Sequence, residues 1–302
     1  MTSETITLTT GHVTAALALP HGVRPAAAAA TVDRLLPGGW STSPTAPAGD
    51  GPWLLVEVTQ GPPGVEAVDA TTVRLRLTRR GAASATLGYA TYTALERARQ
   101  QQQLTTVHAS AVCAPHGQAV LVLGNKGAGK TSTVLALAAR GWTHLGDDLV
   151  VLGEREGAVT VLPGKRTAAV RPADPALGDA PKPVVELRPL RGAPAPLGRI
   201  VRVTVHSRVT EARLIPATPF SGNEYLRLHE NLARYISGIP TPLDGIAEAP
   251  YGPVWPLDTP ACARWRSHLI SLLEGRRFDY LYAPDPERAA DLITEAAEVP
   301  PS

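Results

Sequence analysis

The segment Gly124-Asn125-Lys126-Gly127-Ala128-Gly129-Lys130-Thr131 constrains this chain most, because it fits G-x-x-x-x-G-K-[ST] in the context that gives the pattern meaning. An apolar run from Ala119 leads into it. STVLALAAR, rich in Ala and Leu, leads out as a helix until Gly141 supplies a stop. Glycines let successive N–H groups turn toward phosphate oxygens, and the helix N-terminus adds partial positive charge. Lys130 then reaches the β- and γ-phosphates, and the Thr131 hydroxyl binds Mg²⁺. The phosphate-binding set is therefore Gly124, Asn125, Lys126, Gly127, Ala128, Gly129, Lys130, Thr131 and Ser132, with the Lys126 cation directed into solvent.

An acidic pair, Asp147-Asp148, follows at a useful distance. A helix from Lys130 to Arg140 carries the chain about 16 Å from the phosphates, and an extended Gly141 to Asp147 brings it back about 20 Å. Adjacent residues on a strand face opposite ways, so one carboxylate is free to face an acceptor while the other turns toward a metal or a structural partner. His108 opens VHASAV, a strand paired with the one entering the loop; on position alone, a lone histidine there reads as structural.

Composition narrows the partners. A chain of 302 residues suits about two domains, and 44% hydrophobic with 19% charged residues describes a folded protein. Lys plus Arg is 29 against 27 Asp plus Glu, so a net charge of +2 offers no footprint for nucleic acid or an anionic membrane. The first residues carry no basic stretch followed by an apolar core, and no 18-residue apolar run occurs, so neither export nor membrane insertion is expected. Cys113 and Cys262, far apart and outside any CxxC, fit a reducing cytoplasm. His108, His116 and His144 lack the spacing of a zinc site.

From Ile6 to about Gly88, short strand-like runs alternate with breaker-rich text, predicting a β-rich N-terminal domain over 1–104 that could recognise substrate. TYTALERARQQQ reads as a surface helix or helical connector at the boundary. Residues 105–302 form the second domain, carrying the loop, a hairpin of LVVL with AVTVL around GEREG, and helices at NEYLRLHENLARYIS, ARWRSHLISLLEG and PERAADLITEAAE. In TTVRLRLTRR, Arg74, Arg76 and Arg80 share one strand face, read as solvated rather than as an anion contact.

HASAV, LVLGNKGAGKT and GWTHLGDDLVVL together resemble the core of the HPr kinase/phosphorylase family and its related kinases, distant kin of phosphoenolpyruvate carboxykinase. The discriminating element is the short interval from Lys130 to Asp147, and the likeness runs from about His108 to Arg188, where Val185-Glu186-Leu187-Arg188 looks like the family's glutamate-x-arginine segment. PLRGAPAPLG stands where that family continues with glycine-rich text, which favours a tailoring kinase acting on peptide or other natural products over a regulator of sugar uptake.

The resemblance implies an α/β fold, a mixed-sheet P-loop kinase core of the HPr kinase and carboxykinase type behind the β-rich region. It implies transfer of the γ-phosphate of ATP to a hydroxyl on a peptide, protein or small molecule, with Mg²⁺. Asp147 would be the general base, His108 would sit beside the acceptor phosphate site, and Asp148 and Glu186 would join Thr131 around Mg²⁺ and the phosphates. Lys130 would hold the triphosphate. Family relatives form oligomers, so a homo-oligomer is a further implication, although no heptad argues for one. The competing reading is a nucleotide-binding regulatory or scaffold protein without phosphotransfer.

Overall fold

The structure, a computed structural model, describes residues 4–9, 13–20, 41–43, 53–82, 85–170, 183–237 and 257–298. Its fold is mixed α/β, and its contacts separate two compact units: Met1–Thr105 with Glu230–Arg266, and Thr106–His229 with Ser267–Ser302. The boundary expected after residue 104 falls one residue from the end of the first segment, and the first unit also takes up the later segment Glu230–Arg266.

Among the described residues the first unit holds β1 (Glu4–Thr9), β2 (Thr14–Leu19), β3 (Ser41–Ser43), β4 (Trp53–Val58), β5 (Gly64–Ala67) and β6 (Thr72–Leu77), in the order β3-β1-β2-β4-β6-β5. Period-2 patterning decides the faces: Leu54 and Val56 on β4, and Val73, Leu75 and Leu77 on β6, enter one apolar core with Leu17 and Leu19. Each such side chain is worth about 1.5–3 kcal/mol on burial. On the outer face Arg74 meets Glu57 at 3.2 Å and Glu66 at 3.4 Å, exposed ion pairs worth about 0–1 kcal/mol each, so the core fixes this sheet and the charges decorate it. Arg80 does not continue the stripe, because Arg79–Ala82 turns into a short helix.

The boundary helix, Ala85–Gln101, corrects the expectation of a surface element: Thr91 through Gln100 are buried. Its polar residues find partners inside the unit. Gln100 donates to Glu96 Oε1 (3.0 Å) and accepts from Arg266 (2.7 Å), whose guanidinium also clamps Asp258 at 2.6 Å. A buried polar helix is tolerable when such pairs replace water.

The strand β7 (Leu104–Val107) runs across the boundary, and among the described residues the second unit continues with β8 (Ser110–Cys113), β9 (Ala119–Leu123), β10 (Thr143–Gly146), β11 (Val150–Arg155), β12 (Ala158–Leu162), β13 (Thr167–Ala169), β14 (Val184–Glu186), β15 (Ala195–Val205), β16 (Arg213–Pro216) and β17 (Arg277–Ala283). The main sheet runs β10-β8-β9-β15-β12-β11-β7, with β17 joining β15 and β16 joining β17. The predicted β8–β9 and β11–β12 hairpins are both antiparallel pairs. β15 lies parallel to β9 and to β17, and its two arginines are neutralised within the unit: Arg199 by Asp279 (2.6 Å) and Arg202 by Glu224 (2.6 Å). The helix Lys130–Ala138 buries Val134 and Leu137 in one cluster with Ala289, Ala290 and Ile293 of the helix Pro286–Glu298. No described helix is long and apolar enough to cross a membrane.

Candidate active site

β9 ends at Leu123 and delivers the chain directly into the glycine loop, which closes on the helix beginning at Lys130. Two glycines are obligatory here. Gly129 sits at φ 91°, and a Cβ on it would lie 2.6 Å from Val205 Cβ; Gly124 sits at φ 155°, and its Cβ would meet Ala128 Cβ at 2.9 Å and Val203 O at 3.0 Å. Both neighbours on the β15 side belong to the strand parallel to β9, and Val205 N–H also donates to Ala128 O at 2.9 Å. The loop is thus moulded against β15, with its curvature set by residues that no side chain can replace.

Lys130 is buried, and its Nζ donates to Gly124 O (2.9 Å) and Asn125 O (3.3 Å), folding the ammonium back over the loop. Asn125, Lys126, Gly127 and Ser132 are exposed, and Gly124, Ala128, Gly129 and Thr131 are half-buried. The helix N-terminus has no side-chain cap, so its N–H groups face outward as donors for an anion.

The structure brings Asp147 back to this loop, a return that chain geometry allows. Thr131 Oγ1 lies 3.0 Å from both Asp147 carboxylate oxygens, and Ser110 Oγ donates to Oδ1 at 2.5 Å. Asp147 is fully buried. Burial, then the charge of adjacent Asp148, raises its pKa above the usual carboxylate value, while the Ser110 and Thr131 hydroxyls and the Lys165 ammonium pull the other way.

One local expectation is corrected. The aspartates do not lie on a strand; they form the turn between β10 and β11, with Leu149 N–H donating to Asp147 O at 2.7 Å and Asp148 at φ 61°. The two carboxylates diverge in environment through this turn rather than through strand alternation. Asp148 is partly exposed and pairs with Lys165 Nζ at 3.5 Å.

His108 is likewise not on a strand. VHASAV splits, β7 ending at Val107 and β8 starting at Ser110, and His108 occupies the bend between them, half-buried. Glu186, at the end of β14, is exposed and pairs with Arg188 at 2.8 Å. It stands opposite Thr167 in the β13–β14 register, whereas the aspartates are joined to Lys165. No group of three or more His, Cys, Asp or Glu able to hold a metal ion occurs among the described residues. The donors that do meet at the loop, the Thr131 hydroxyl and the Asp147 carboxylate, are the hard oxygen ligands that suit Mg²⁺, an ion that takes few protein ligands and fills its shell with water and phosphate oxygens.

Two residues that contact the aspartate turn carry little mark in the sequence. Ser110 is a lone hydroxyl in a wholly buried strand, which was its only available signal. Lys165 follows Pro163-Gly164 in irregular chain, where nothing local marks it; its significance arises only when the fold sets it against the aspartate turn.

No family model matches the chain, and no curated protein matches it. Among solved structures it is similar to the HPr(Ser) kinase/phosphatase from Coxiella burnetii, at 13% identity and a TM-score of 0.32, over 64% of this chain and 95% of that one.

Proposed function

We propose that this chain is a phosphotransferase that moves the γ-phosphoryl group of a nucleoside triphosphate to a hydroxyl acceptor on a peptide, protein or small molecule. The observation that carries the reading is the bonding of Thr131 to both oxygens of Asp147 at the head of a loop that admits no side chain at Gly129. A phosphate loop and a buried carboxylate meeting at its hydroxyl form the arrangement that triphosphate chemistry needs, since that chemistry depends on alignment and charge neutralisation.

When bound, Mg²⁺ supplies positive charge to the β- and γ-phosphate oxygens. Thr131 and Asp147 would hold it, and Lys130 would exchange the Gly124 and Asn125 carbonyls for phosphate oxygens. The Asp147 carboxylate already accepts from Ser110 and Thr131 and is fully buried, which supports a metal-side role for it in place of the base role implied by family resemblance. Asp148, adjacent and partly exposed, is then the carboxylate that takes the acceptor proton. The acceptor oxygen bonds to the γ-phosphorus as the bond to the β–γ bridging oxygen breaks, and the nucleoside diphosphate leaves. The first unit, with its N-terminal sheet, is the candidate for acceptor recognition.

Intact-mass spectrometry of hydroxyl-bearing peptides and small molecules incubated with the chain and Mg-ATP tests this. A product heavier by one phosphoryl group, absent with Lys130→Ala and formed much more slowly, but measurably, with Asp148→Asn, supports transfer. Tight Mg-ATP binding with no product across the panel would instead favour the scaffold reading.

A further inference from the structure

We propose that Lys165 is a positioning residue of the transfer site, its ammonium holding the Asp148 carboxylate at the mouth of the aspartate turn; this inference rests on the phosphotransfer reading. Lys165 is 5% exposed, and burying an ammonium is costly without a partner. Its ion-pair partner is Asp148, at 3.5 Å. That separation is longer than the about 2.7–2.9 Å of a tight charge-assisted bond, so the carboxylate is steered while keeping capacity for a second partner.

The backbone makes the lysine and the turn one body. Lys165 N–H donates to Leu149 O at 3.0 Å, and Asp147 N–H donates to Lys165 O at 3.2 Å, bracketing Asp148 on both sides. Within that bracket Asp148 adopts φ 61°, a left-handed conformation that few residues with a side chain take up, aspartate among them. Such a conformation persists where its surroundings over-determine it. Charge gives a second reason for the lysine. Two adjacent carboxylates facing a triphosphate repel it and each other; Lys130 answers that on the loop side and Lys165 on the carboxylate side.

A double-mutant cycle on the full chain tests whether Lys165 acts through Asp148. Transfer from Mg-ATP is measured for the wild type, Lys165→Met, Asp148→Asn and the double variant, using the acceptor found by mass spectrometry or, lacking one, water. Lys165→Met should lower kcat about 100-fold, the scale of a catalytic group displaced by about 1 Å, with KM for Mg-ATP unchanged. The same change in the Asp148→Asn background should cost nothing further, and Lys165→Arg should restore most of the rate. Lys165→Gln repeats the cycle if Met lowers the melting temperature. An active wild type with additive losses, or full kcat in Lys165→Met, overturns this inference alone. A wild type that binds Mg-ATP and transfers nothing overturns the phosphotransfer reading and this inference with it.

Discussion

Thr131 Oγ1 is equidistant, at 3.0 Å, from the two carboxylate oxygens of Asp147, so a hydroxyl at the start of the loop helix and a buried acid on the following turn form one hydrogen-bonded unit. The acid is held where water is excluded, and this has a thermodynamic sign. Its folded pKa lies above the unfolded value of 3.8. As pH rises from 3.8 through the folded pKa, the unfolded chain gives up its proton first, and stability is lost across that window. At neutral pH the ionised form of Asp147 therefore costs stability.

Asp147→Asn should consequently raise the melting temperature at pH 7 while abolishing phosphoryl transfer. In a chain of this size each kcal/mol released corresponds to about 2–4 °C. The gain should shrink as pH falls through the folded pKa toward 3.8, where the wild-type acid is protonated in the folded state. Thermal unfolding of both proteins across pH 4–8 checks this; an Asn variant less stable than wild type at pH 7 would contradict it.

Gly129 and Gly141 make an internal comparison, because both have positive φ (91° and 86°) but only Gly129 has a neighbour in the way of a Cβ. Gly141→Ala should cost about 1–2 kcal/mol, the left-handed penalty by itself. Gly129→Ala adds the collision with Val205 and should cost at least about 1 kcal/mol more, with nucleotide binding lost. Denaturant unfolding and a fluorescent-nucleotide titration measure the two effects separately.

His144 is buried on β10 with neither ring nitrogen hydrogen-bonded among the described residues, and burial lowers its pKa below 6.5. The folded form stays neutral while the unfolded chain protonates, so stability is full above pH 6.5 and falls as pH drops from 6.5 toward the folded pKa. Unfolding measured between pH 7.5 and 5 should show this slope, and His144→Asn should flatten it.

Much of this organisation is legible in the residues, and the failures have physical reasons. The strand, loop and helix around Gly124 to Thr131 follow from glycine geometry and helix propensity, which act locally. The return of Asp147 is allowed by chain dimensions. The burial of Thr91 through Gln100 does not show in the composition, because the partners that make Gln100 tolerable inside, Arg266 and Asp258, lie far along the chain. Lys165 was invisible for the same reason: its partner is 17 positions away, across a hairpin. The strand expected at His108 broke where β7 gives way to β8, a bend that an uninterrupted run of small and β-branched residues conceals.

The position of β15 between β9 and β17 governs how this protein must assemble. Its residue Val201 pairs with Val122 on one side and Asp279 on the other, each roughly 80 residues distant, and parallel pairings at such separation are slow to form because loop-closure entropy is lost before contacts reward it. On a ribosome, β15 would emerge with β9 already waiting but β17 still unmade. Its open edge would then be exposed to stray strands until β17 arrived. The wall against which Gly129 is moulded is therefore sealed late, so the loop should take up its final shape only after β17 has joined β15.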